Sequence, residues 1–142
     1  MAVSEWLDIT QDRIGRFAEA TDDHQWIHVD PARAAVESPL GTTIAHGFLT
    51  LSLLAPLVMG AITVTGAVLA VNYGLNRVRF VSPVPAGSRI RARFRPEAVS
   101  DIPGGLRVTW AVTVERAGAE KPACVAEWVV HYKYEAASGI GR

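Results

Sequence analysis

The chain has 142 residues, 49% of them hydrophobic, with 14 basic and 14 acidic side chains and a formal net charge of zero. That length predicts a single domain, 1–142, with enough apolar material for a core that needs no staple. The zero balance excludes a general electrostatic pull towards nucleic acid or an anionic membrane, and the lone cysteine, Cys124, excludes an intrachain disulfide.

Charge is nevertheless unevenly placed. Acids dominate up to Glu37, and arginines dominate between Arg77 and Arg116. Met1 to Glu5 shows no basic segment leading into an apolar run, so no signal peptide is expected, and a reducing, cytoplasmic setting is.

In chain order, Trp6-Leu7-Asp8-Ile9 alternates and predicts a short strand. Thr10 offers an N-cap hydroxyl, and Ile14, Phe17 and Ala18 follow at helical spacing, so a helix should run from Gln11 to about Ala20. Thr21-Asp22-Asp23 stops it. Residues Asp23 to His28 read as a bent loop. Asp30-Pro31 then signals a new start, with Asp as cap and Pro at the first helical position, predicting a short helix to about Glu37.

After a loop from Pro39 to Thr43, a helix is expected from about His46 to Gly60. Phe48, Leu49, Leu51, Leu53, Leu54, Leu57 and Val58 cover every face, which predicts burial all round. The uncharged stretch from Ser38 to Asn76 is long enough to raise the question of a membrane span. Pro56, Gly60 and Gly66 interrupt it, and Ile62-Thr63-Val64-Thr65 suits a strand, so no span is expected.

The remainder reads as sheet: Val68–Tyr73, Arg77–Val81, Ser88–Ala98, Leu106–Arg116 and Ala123–Tyr134, the last with Val125, Glu127, Val129, His131 and Lys133 on one face. Alternation of this kind belongs to antiparallel sheets with one packed face. The all-apolar helix is the natural partner for that face, giving an α+β fold.

Two stretches have the makings of a site. Asp23 and His28 can hold one water between a carboxylate and an imidazole; equally, Asp23 can cap a turn and His28 be an ordinary loop histidine. His46-Gly47 opens a helix, where free N–H groups and the dipole can meet a carbonyl oxygen and glycine admits a close approach. Equally, Gly47 can relieve crowding against the sheet while His46 caps the helix. Arg89, Arg91, Arg93 and Arg95 share one strand face, either to meet phosphates or as a solvated row. Cys124 reads as packing, and Ser52 lies in the buried helix with no nucleophile elbow around it. The four histidines fall at no convincing ligand spacing, so no metal is expected.

Three segments carry a family resemblance. Thr21 to His28, with Val29-Asp30-Pro31-Ala32-Arg33-Ala34 after it, resembles the hydratase-2 motif of MaoC-like (R)-specific enoyl-CoA hydratases. Ile44-Ala45-His46-Gly47-Phe48-Leu49-Thr50-Leu51-Ser52 resembles the start of that family's central helix, and Tyr73 to Val84 its following strand pair. The form Asp-His-Gln-Trp-Ile-His is also similar to the NodN-like branch.

The resemblance implies a hotdog fold, in which a long central helix is wrapped by a five- to six-stranded antiparallel sheet, and a homodimer. It implies reversible addition of water to trans-2-enoyl thioesters, with Asp23 and His28 catalytic, the Gly47 N–H on the thioester oxygen, and Gln25, Trp26 and His46 as substrate-binding neighbours. Cofactors and metals are not implied; acyl-CoA or acyl-carrier protein is the substrate, with no nucleic-acid or membrane partner. Asp22, Gln25 and Trp26 stand where the motif has Gly, Asn and Pro, and Ala55 where some hydratases have Ser. A hotdog thioesterase and a non-catalytic acyl-thioester binder are the alternatives.

Overall fold

The computed structural model describes residues 1–136. Its strands are β1 (Ala2–Val3), β2 (Leu7–Ile9), β3 (Ala67–Phe80), β4 (Ser88–Ile102), β5 (Gly105–Arg116) and β6 (Cys124–Tyr134). Its helices are α1 (Gln11–Thr21), α2 (Trp26–Val29), α3 (Pro31–Glu37), α4 (Gly47–Ser52) and α5 (Leu54–Ala61). The strands form one antiparallel sheet in the order β1-β4-β5-β6-β3, with β2 also pairing to β4. The inner face is lined by Ile90, Ala92 and Phe94 of β4, Val108, Trp110, Val112 and Val114 of β5, and Ala126, Trp128 and Val130 of β6. Leu49, Leu53, Leu54, Leu57 and Val58 of the α4–α5 segment belong to the same core, as do Ile9 and Ile14.

The two helix starts form as the sequence predicts. Thr10 Oγ1 accepts from the Arg13 N–H at 3.1 Å, and Ile14 and Ala18 turn inwards fully buried. Asp30 Oδ1 accepts from the Arg33 N–H at 3.0 Å, with Pro31 opening α3.

Four expectations need correction. The central helix is not continuous: α4 and α5 meet at Leu53. Pro56 has no N–H for the Ser52 carbonyl, and its ring crowds that same oxygen, so the ladder breaks one turn upstream of it. Nor is this segment buried all round. Phe48 is 69% and Met59 72% exposed, and Ser52 lies on the exposed side with its Oγ donating to the Phe48 carbonyl at 2.7 Å.

The strands expected at Val68–Tyr73 and Arg77–Val81 are one strand, β3. Gly74-Leu75-Asn76 does not turn the chain. It is absorbed as register shifts against β6 between Asn72 and Gly74 and between Leu75 and Arg77. Finally, the expected loop at Asp23 to His28 contains the helical turn α2.

Strand β4 runs past Ala98 to Ile102, with a register shift at Pro96/Ala98. Its outer half is an edge, because β1 and β2 pair only with residues up to Phe94, and proline is tolerated there. The arginine row is a partly paired outer face. Arg91 (2.8 Å) and Arg93 both donate to Glu115, and the guanidiniums of Arg89 and Arg91 lie over Trp6. Those two hydrogen bonds hold the Glu115 carboxyl below its usual range. Cys124 is fully buried against the core, as packing predicts. Among the described residues no helix is long and apolar enough to cross a membrane.

Candidate active site

The acid side of the site begins where α1 ends. Asp22 takes up the left-handed conformation, φ 58° and ψ 22°, the one such non-glycine among the described residues. This is the position at which the motif carries glycine, and the backbone shows why: the region suits glycine, and aspartate tolerates it better than most side chains. The turn sends Asp23 out of the helix line. Its carboxylate is exposed and accepts from the Gln25 N–H at 3.4 Å, while its carbonyl points towards α4.

His28 follows on α2 and is 7% exposed. Its Nδ1–H donates to the Ile44 carbonyl at 2.7 Å, which leaves Nε2 as the free lone pair of the neutral ring. Burial lowers the His28 pKa from 6.5; the Ile44 carbonyl opposes this, neighbouring His46 adds to it, and Asp23 opposes it. The net effect keeps the imidazole neutral and accepting.

The surrounding backbone is clamped. The Ile44 N–H donates to the Ile27 carbonyl at 3.0 Å, and the Ala45 N–H to the Val84 carbonyl at 2.8 Å. Gln11 reaches from α1, donating to the His28 carbonyl at 2.8 Å and accepting from the Thr43 hydroxyl. Sequence reasoning missed Gln11, Thr43 and the Ile44 carbonyl. Gln11 looks like any polar position in a first helical turn, and a carbonyl leaves no mark in a side-chain pattern.

His46 is 3% exposed and stands at the N-cap of α4, but its side chain does not cap. The ring stacks on His28 with centroids 3.8 Å apart and planes 22° from parallel. Its Nε2–H donates to the Asp23 carbonyl at 3.0 Å. One polar atom from each of Asp23, His28 and His46 lies within 4.8 Å of the others. Groups gathered this closely can share one water between them. The arrangement suits a metal ion poorly. An imidazole binds a metal in its own plane at about 2.0–2.1 Å, and two nearly parallel stacked rings do not aim in-plane lone pairs at one point.

Gly47 opens α4, where the first amides have no intrahelical acceptor. A Cβ there would come within 3.0 Å of the Phe80 ring on β3, so a larger residue would have to push that ring aside by a few tenths of an ångström. Gly47 and Phe80 line a groove of about 310 Å³ with Ile44, Thr50, Val81 and Pro83. The structure thus brings Asp23, His28 and His46 together, with Gly47 next along the chain. Gln25 is exposed and makes no side-chain cap, and Trp26 lies under the Arg33 guanidinium, 4.3 Å from its centroid.

Comparison with known proteins places this geometry in a family. Residues 1–117 match the MaoC like domain. The chain is 56% identical over 130 residues to 3-hydroxyacyl-thioester dehydratase Z of Mycobacterium tuberculosis, covering 91% of this chain and 85% of that one. It is 48% identical over 134 residues to nodulation protein N of Rhizobium leguminosarum bv. viciae, covering 93% and 83%. Its fold matches that of an unliganded (R)-hydratase from Pseudomonas aeruginosa with a TM-score of 0.77, at 23% identity, over 95% of this chain and 81% of that one. The architecture is the α+β hotdog fold, and the chain belongs to the MaoC-like domain family.

Proposed function

We propose that this protein is a hydro-lyase of the enoyl-CoA hydratase 2 type, interconverting trans-2-enoyl thioesters and (R)-3-hydroxyacyl thioesters. The observation that carries the reading is the gathering of the Asp23 carboxylate and the His28 ring within one cluster, with Nδ1 of His28 committed to the Ile44 carbonyl, in a chain 56% identical to a 3-hydroxyacyl-thioester dehydratase.

In this reading one water donates its two hydrogens to Asp23 and to His28 Nε2, with its oxygen lone pair facing the β-carbon. As the C–O bond forms, the pair takes one proton from the water, and the α-carbon takes up one proton from the pair. Across the double bond the net addition is H and OH. In the dehydration direction the pair removes the α-proton and protonates the departing hydroxide. The Gly47 N–H, at the positive end of α4, receives the thioester oxygen while it carries enolate charge.

The functional unit is proposed to be a homodimer. Supporting this, β3 is an open edge carrying Val68, Leu69, Val71, Tyr73 and Leu75, all 39% exposed or more, beside the outward-facing Phe48. A cytoplasmic setting fits the single thiol, Cys124, whose burial raises its pKa to about 11.

The decisive assay follows loss of the conjugated enoyl-thioester absorbance with crotonyl-CoA and a series of longer chains, with the configuration of the product determined. Asp23→Asn and His28→Ala should each lower the rate by about 10²–10⁴-fold. Unchanged rates in both variants would sink the assignment, and release of free thiol without hydration would indicate a thioesterase.

A further inference from the structure

His46 has no step in the scheme above, yet its surroundings are the most constrained in the site. It is almost fully buried, flanked by Phe17 of α1 at 4.8 Å and by His28 at 3.8 Å between ring centroids. Its Nε2–H spans 23 residues of sequence to reach the Asp23 carbonyl. One histidine therefore touches both members of the pair: the backbone of the acid and the face of the imidazole.

The other ring nitrogen sharpens the point. His46 Nδ1 is buried and has no hydrogen-bond partner among the described residues. An unpaired buried polar atom is costly, and phenylalanine would fill similar space without that cost. Phenylalanine would also keep the stack on His28. What it lacks is the N–H for Asp23. Histidine at this position is thus explained by the bond it makes to the acid's backbone and by its contact with His28, while its burial leaves little surface for a substrate.

We propose that His46 is a positioning residue that locks the Asp23 backbone and the His28 ring into working register without touching substrate, an inference that rests on the hydration reading above. Burial lowers the His28 pKa most, the Ile44 carbonyl opposes it, and His46 adds a smaller electrostatic lowering that Asp23 opposes. The hydrogen bonds also fix opposite tautomers: Nδ1–H on His28 and Nε2–H on His46.

The test uses the whole protein with crotonyl-CoA, in wild type, His46→Phe and His46→Gln. His46→Phe keeps a stacked ring and loses the donor. Its kcat should fall about 10- to 100-fold, the scale of a small misplacement of catalytic groups, with KM within about twofold. Its acid limb should move up in pH, because one influence holding the His28 pKa down is gone. His46→Gln, which restores an amide N–H near the Nε2 position, should recover part of kcat. Long-range ¹H–¹⁵N spectra of the wild type should show the two opposite tautomers, a readout that does not depend on whether the variants fold.

A His46→Phe enzyme with wild-type kcat and pH profile overturns the inference. So does a loss confined to KM, which would make His46 a substrate contact, and so do reversed tautomers. A wild type that hydrates no enoyl thioester overturns the functional reading itself, a result distinct from an active wild type indifferent to position 46.

Discussion

In the proposed reaction His28 acts through a neutral ring, so its titration would set where the protein works. Its ordinary value is 6.5, and burial, chiefly, lowers it in the fold. Hydration should hold through neutral pH and decline on an acid limb below 6.5, measured as kcat/KM against pH. The sign for stability follows from linkage. Between the two values the unfolded chain binds the proton and the folded chain does not, so this group's stabilising contribution is complete above 6.5. It is lost as pH falls towards the lowered folded value. Melts at stepped pH should show a shallower acid loss in His28→Ala than in wild type. Asp22 offers a second test at this scale. Holding φ at 58° is easy for glycine and strained for alanine, so Asp22→Ala should be about 1 kcal/mol less stable than Asp22→Gly in denaturant titrations. That glycine preference was present in the family motif, but only the backbone angle explains it. Asp23 and His28 were legible as candidates through their residue types and the family motif, since their spacing alone equally suits a capped turn. Their union with His46 was not, since it depends on a contact across 23 positions.

At the scale of elements, Gly47 and Phe80 form the joint between α4 and β3. Gly47→Ala places a methyl 3.0 Å from the ring, and a half-exposed ring can yield only part of that space. We expect a loss of about 1–2 kcal/mol, relieved when Phe80→Ala is combined with it, read as a coupling energy in a double-mutant cycle. If crowding is the whole role of Gly47, activity should return with stability. If the substrate oxygen must approach its N–H so closely that a methyl blocks it, the double variant should remain slow. The caps at Thr10 and Asp30 were legible because each depends on a residue and its near neighbours. The break at Leu53 was signalled by Pro56 but outweighed by the apolar run around it. Two strands, Val68–Tyr73 and Arg77–Val81, were expected where the long β6 partner carries β3 straight through with shifts of register.

For the whole molecule, the open question is what covers β3. If a second copy does, Leu69→Lys should convert the dimer to monomer in sedimentation velocity and lower activity, because the charge would have to be buried at the seam. The α+β layering was legible from alternation alone. The long exposed edge was not, because the apolar residues of β3 read much like those of an interior strand. Pro96 gives the two sides of the sheet different fates. On the far side, β1 and β2 cover the first half of β4, and beyond them a residue without an N–H interrupts the free edge at a bulge. Sheet growth by strand addition needs two receptive edges, one to accept a neighbour and one to offer to the next. Among the described residues this molecule presents one. If two copies pair along β3, the pairing consumes the growing point and closes at two copies, which would guard a chain with so much exposed β-branched and aromatic surface against assembling into a fibre.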